Sequence, residues 1–210
     1  GWEEPVVTLG QLFERIGEEN QAEERYRQYL NLHPDAIRVG DRLLNLLQKK
    51  ERYVEAWAIL HRLPERIMRA STHRVRIAIV REEYDEAIDA LEMRVEADPQ
   101  DAASKALLAQ ILYIRKNETE RSLNLLKEAY ELSLQKVAKA PDPGKKVQTQ
   151  NSELLLVIAT LVSILHTENR DPEIAPVLDA EVTRHNNFSA YLMRAEFLDI
   201  TGHPDQAERD

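Results

Sequence analysis

Apolar side chains recur along this chain at intervals of three and four residues, as in Leu123, Leu126, Ala129, Tyr130, Leu134 and Val137. That is the period of an amphipathic helix, and no run alternates apolar and polar in the way a half-buried strand requires. A longer period lies over the helical one. Small residues that open a second helix fall at Ala22, Ala56, Ala87, Ser122, Ala175 and Ala207, at spacings of 34, 31, 35, 53 and 32 residues. A large apolar residue follows four places later at Tyr26, Leu60, Leu91 and Leu126, and proline closes the unit at Pro34 and Pro99. Self-similarity at such a period predicts stacked helix pairs, none of which can bury its apolar face alone.

The ruler divides the chain into approximate repeats 3–36, 37–65, 66–101, 102–139, 151–187 and a partial 188–210, all within one domain. The 53-residue step contains Ala140-Pro141-Asp142-Pro143-Gly144-Lys145-Lys146. We read residues 138–151 as an insertion loop, preceded by a second helix extended by a turn or two until the prolines stop it. Asn151 or Ser152 can cap the next helix. Its residues Leu154 to Ala159 are apolar on every face, so it should be enclosed, either between the fourth and sixth units or at a subunit interface. Asp171-Pro172 suits a helix start, but Pro176 is tolerable only in a first turn, which moves that start toward Ala175. The last unit, with Tyr191, Ala195, Leu198, Gly202 and Ala207, stops inside its second helix and reads as an array cut at its C-terminus. Gly1 in place of an initiator Met is consistent with an excised domain.

The first unit, with Leu9-Gly10 and Phe13 in its first helix, Gly17 at the turn, Ala22 and Tyr26 in its second and then Pro34, resembles the tetratricopeptide repeat. The third, Tyr84-Asp85-Glu86-Ala87-Ile88 closing at Ala97-Asp98-Pro99, is similar to that family's second helix. The other units depart from it: Leu44 stands where the second should have glycine, and Ser122 replaces alanine in the fourth. The resemblance implies an all-α, right-handed α-α superhelix of about five to six helix pairs, a solenoid whose concave face is lined by first helices and takes peptide segments of partner proteins. A subset of the family grips a chaperone's C-terminal carboxylate with Lys, Asn and Arg. The aligned places here hold Val7, Gln11, Arg42, Arg69 and His73, and only the third unit is partly consistent.

Composition supports helices: Gly and Pro number only 6 and 9, aromatics make up 6%, and the charged fraction is 31%. The net charge of −9 argues against a nucleic-acid partner unless its cations gather on one face. Without cysteine there is no disulfide framework, thiolate nucleophile or cysteine-ligated zinc, and the compartment's redox state leaves no trace; cytosol is the favoured location. The most apolar stretch, Leu154 to Leu165, falls short of the roughly 20 residues a bilayer span needs. The histidines at 33, 61, 73, 166, 185 and 203 are never three or four apart, and no metalloprotease, nucleophile-elbow, calcium-loop or phosphate-loop motif occurs. We therefore expect no catalytic, cofactor or metal site.

Aligning each first helix to the family pattern assigns Gln11, Arg15, Arg38, Asn45, Lys49, Arg69, Arg76, Gln110 and Tyr113 to the concave face. None is a carboxylate, which predicts a basic-to-polar surface able to hold acidic side chains or a terminal carboxylate of a protein or peptide. A scaffold that binds partner proteins is the leading expectation. The alternatives are a substrate-recruiting or accessory domain of a larger enzyme and a self-associating structural module.

Overall fold

The computed structural model describes residues 3–64, 72–138, 147–185 and 188–200. Among these residues there is no strand. The chain divides into two compact units, Gly1–Gln100 and Asp101–Asp210. Such a division is natural to a repeat fold, because each helix pair contacts only its neighbours.

Among the described residues, unit one contains three helix pairs: α1 (Glu4–Arg15) and α2 (Glu19–Leu32), α3 (Ile37–Lys49) and α4 (Tyr53–Leu60), α5 (Thr72–Val80) and α6 (Tyr84–Ala97). In unit two, α7 (Ala102–Ile111) runs on into a π turn, Leu112–Lys116, and is followed by α8 (Thr119–Ala138) and α9 (Val147–Thr167). A 3₁₀ turn (Asp171–Glu173), α10 (Ile174–His185) and α11 (Phe188–Ile200) complete it.

The long period is written in the backbone. Gly17, Glu51, Glu82, Asn117 and Asn169 all have positive φ, between 55° and 82°, and they succeed one another at 34, 31, 35 and 52 residues. Each ends a helix in the left-handed conformation of a C-terminal cap, with the following N–H reaching back across the turn. Thus Glu18 N donates to Phe13 O at 2.8 Å, Arg52 N to Leu47 O at 2.9 Å, Glu83 N to Ala78 O at 2.9 Å and Arg170 N to Leu165 O at 2.8 Å. At the fourth turn the span is one residue longer, Glu118 N to Leu112 O at 3.2 Å, because the π turn takes an extra residue before Asn117.

Five residues beyond each cap sits the small position. Ala22, Ala56, Ala87 and Ser122 are fully buried, and so are Tyr26, Leu60, Leu91 and Leu126 four places on. In the fifth unit the same count gives Ile174 and Leu178, both buried, whereas Ala175 is exposed. The step there is accordingly 52 residues, and the small-residue position of that unit is filled by a large side chain. Pro176 falls at the third position of α10, where its missing N–H costs no helical bond.

Two further expectations are modified. Helix α9 begins at Val147 rather than at a cap on Asn151 or Ser152, so the segment read as a loop over 138–151 is helical in its last part. Nor is α9 enclosed on all sides. Leu154, Val157, Ile158, Leu161 and Leu165 are buried, but Leu156 is 65% exposed, and Thr160 and Thr167 on the outer stripe turn their hydroxyls back to the carbonyls of Leu156 and Ser163. The Pro and Gly positions of 139–146, Arg69, and Gly202 and Ala207 lie outside the described residues.

Candidate functional site

The first helices of unit one stand side by side, α1 beside α3 and α3 beside α5. Of the residues assigned to their open face, Arg15, Arg38, Asn45, Lys49 and Arg76 are exposed and Gln11 is half-buried. The second helices pack behind them. The close approach of α1 to α2 depends on Gly10: a Cβ built there would lie 2.2–2.3 Å from the ring of Tyr26. Tyr26 is buried with its hydroxyl donating to the Glu14 carboxylate at 2.7 Å, and burial first, then that carboxylate, holds the phenol well above its ordinary range. It stays neutral, which suits its place in the core.

Most cations on this face already hold acceptors. Arg38 pairs with Glu4, and its backbone N–H donates to Glu3 Oε2 at 3.0 Å. Lys49 reaches Glu19 at 2.5 Å. Asn45 donates to its own helix at Asp41 O (2.9 Å), and Gln11, with its amide oxygen turned to Arg42, accepts from that guanidinium. Hydrogen bonds from Arg38 and Lys49 hold the Glu4 and Glu19 carboxyls below their ordinary range. The face is therefore mixed in charge rather than uniformly basic. Arg15 and Arg76 have no carboxylate partner among the described residues.

Arg76 belongs to a polar chain that the sequence did not reveal. Its Nη1 lies 3.5 Å from Gln48 Oε1, the Gln48 amide donates to His73 Nδ1 at 2.7 Å, and His73 Nε2–H donates to Asp41 at 2.9 Å. Gln48 and His73 are buried, and the run of bonds ties α3 to α5. On the opposite side, Glu23 of α2 is buried beneath Arg52 (2.6 Å), Arg27 (2.9 Å) and Lys50 (3.3 Å), and Arg27 and Arg52 go on to share Glu55 of α4. Burial raises the Glu23 carboxyl, but the hydrogen bonds from Arg52, Arg27 and Lys50 together outweigh it, leaving the group below its ordinary 4.5. Arg27–Glu23 and Arg52–Glu55 are four and three residues apart on one helix or its cap, but the other partners are 25 to 32 residues apart in the chain, about one repeat, so only an assumed register could have paired those.

In unit two, Gln110 is exposed on α7, and Tyr113, half-buried in the π turn, donates to Glu168 at 2.9 Å. Arg170 bridges Glu120 and Glu173, each at 2.6 Å, and Tyr130 of α8 meets the buried Glu181 of α10 at 2.8 Å. Among the described residues no three of His, Asp and Glu gather as metal ligands, and no helix is long and apolar enough to cross a membrane.

No protein-family model and no curated protein matches this chain. Solved structures do. YrrB, described as a tetratricopeptide-repeat protein with an unusual peptide-binding site, is similar at a TM-score of 0.62 over 91% of each chain with 13% identity. PilF of Pseudomonas aeruginosa gives 0.60 over 99% of this chain and 87% of its own at 14% identity. A tetratricopeptide-repeat protein of Parabacteroides merdae gives 0.54 over 99% and 90% at 12%. Identities this low speak for the backbone alone, and together with the recurring left-handed turns they establish that the chain has the fold of the tetratricopeptide-repeat proteins.

Proposed function

We propose that this chain is a protein-interaction scaffold that holds a peptide or extended segment of a partner across the open face of its first helices. The observation that carries the reading is that face itself: a row of exposed long polar side chains on α1, α3 and α5, braced from behind by a buried hydrogen-bonded chain through Gln48 and His73. YrrB, with its peptide-binding site on the same kind of backbone, adds support by analogy. An acidic segment pairs with Arg15 and Arg76 directly and exchanges for Glu4 on Arg38 and Glu19 on Lys49, an exchange that costs little because both pairs are exposed. The full proposed set is Gln11, Arg15, Arg38, Asn45, Lys49, Arg69 and Arg76, with Gln110 and Tyr113 the counterparts in unit two. Replacing Arg69 and Arg76 together by Glu should weaken an acidic partner's binding by about tenfold. Unchanged affinity in isothermal titration would sink the acidic-ligand reading.

A second reading, self-association, is favoured by one feature. Leu9 and Leu12 on α1 and Ile16 just beyond its end are exposed at helical spacing and form an apolar stripe. Sedimentation of the chain beside Leu12→Lys separates the two: a monomer in both cases removes the second reading.

A further inference from the structure

Behind the first-helix face, unit one has a cavity of about 340 Å³ between α2 and α4, lined at its base by Leu30, Leu43, Ile59 and Leu63 and at its mouth by Arg27, Asn31, Pro34 and Arg62. Its size falls within the roughly 300 to 1,000 Å³ of ordinary ligand pockets. The base is preformed, because its four side chains come from three helices and the turn after α4 and are all core residues under 10% exposed. We propose that this cavity is a second docking site, taking one leucine or phenylalanine side chain from an acidic segment of a partner protein. It is separate from the face proposed above and does not depend on it.

Charge at the mouth selects the occupant. In unit one, Arg38, Lys49, Arg52, Arg74 and Arg81 each hold a carboxylate. Arg62 is exposed, and among the described residues its partner is the neutral amide oxygen of Asn31 at 3.3 Å. A carboxylate beside the inserted side chain gains a charge-assisted bond from Arg62 and can take another from the Asn31 amide N–H, which the bond to Arg62 leaves unused. The backbone favours a peptide over a simple fatty-acid anion. The cavity lies at the C-terminal ends of α2 and α4, where carbonyls lack helical partners. Pro34, four residues beyond Leu30, has no N–H with which to close the last turn on the Leu30 carbonyl. An extended peptide brings N–H groups to such acceptors, and a hydrocarbon chain brings none.

Fluorescence anisotropy of the whole chain with three fluorescein-labelled peptides tests this: Gly-Asp-Glu-Leu-Asp-Glu-Gly, the same sequence with Ser for Leu, and the Leu peptide with Ser for every acid. The first should bind, and each of the others should bind at least about tenfold more weakly, because each lacks one half of the recognition. Arg62→Glu should weaken the first peptide by about tenfold, and Asn31→Trp, which covers the mouth, should abolish binding. Both altered residues are exposed, and an unchanged thermal melt shows that each variant is folded; if Arg62→Glu loses its transition, Arg62→Gln takes its place with the same expected direction. Absence of binding by the first peptide, or equal binding by the Ser peptide, overturns the proposal. So does a response to Arg76→Glu with none to Arg62→Glu, which would instead seat the peptide on the first-helix face.

Discussion

Two residues show how little volume separates a working position from a failing one. Gly10 has no room for a methyl group against Tyr26, so Gly10→Ala forces apart two helices whose contact also fixes the Tyr26–Glu14 bond. The alanine improves helix propensity by about 1 kcal/mol, and the clash costs more, so we expect a net loss of about 2 kcal/mol in urea unfolding. Ser122 is the reverse case. It fills the position held by Ala22, Ala56 and Ala87 and leaves its buried hydroxyl without a partner among the described residues. Ser122→Ala removes an unsatisfied polar atom, and the same measurement should show a gain of about 1 kcal/mol. Both sites were legible in the sequence, as an alignment of small residues, but the unpaired hydroxyl was not, since serine in a helix usually reaches water or its own backbone.

Among the elements, the turn between first and second helix is the one that repeats. Glu51 and Glu82 hold a left-handed conformation that suits glycine, with φ of 57° and 60°. Glu51→Gly and Glu82→Gly relieve that strain at some loss of unfolded-chain restriction, and each should stabilise the chain by about 0.5 kcal/mol, read as a raised melting temperature. The sequence displayed this turn only at Gly17, where the letter matched the geometry. Glutamate at 51 and 82 gave no sign of it, and neither did the π turn of Leu112–Lys116, which absorbs a residue without breaking the helical apolar period. Proline and spacing located the start of α10 well because they act on the backbone directly. They could not show which of Ile174 and Ala175 faces inward, since an apolar pair at successive positions satisfies either register.

For the molecule as a whole, the excess of acidic residues makes low pH the informative variable. Glu23, Glu55, Glu83 and Glu173 all lie below their ordinary 4.5 in the folded chain, Glu23 with burial outweighed by its three cations and the others chiefly through a hydrogen bond from a neighbouring arginine. A carboxyl so depressed contributes its full stabilisation above the unfolded value, and that contribution is lost as pH falls through the folded value. Stability should therefore hold steady down to about pH 5 and decline below it, and Glu23→Gln should lower the plateau by about 2 kcal/mol while making the acid limb shallower. An acid limb identical in the variant would show that Glu23 is not among the groups that drive it. Part of this pairing is local, since Arg52–Glu55, Arg81–Glu83 and Arg170–Glu173 lie only two or three residues apart. The bonds of Glu23 to Arg52 and Lys50 were hidden from the sequence, because they depend on helices a repeat apart being stacked.

The recurrence of the left-handed turn loosens the tie between letter and register. A position defined by backbone hydrogen bonds accepts Gly, Glu or Asn, so the letters that spell a repeat can be exchanged one after another while the register persists. Chains of one fold can then superimpose without reading alike, and the register of such a chain is better traced by counting from turn to turn than by comparing side chains.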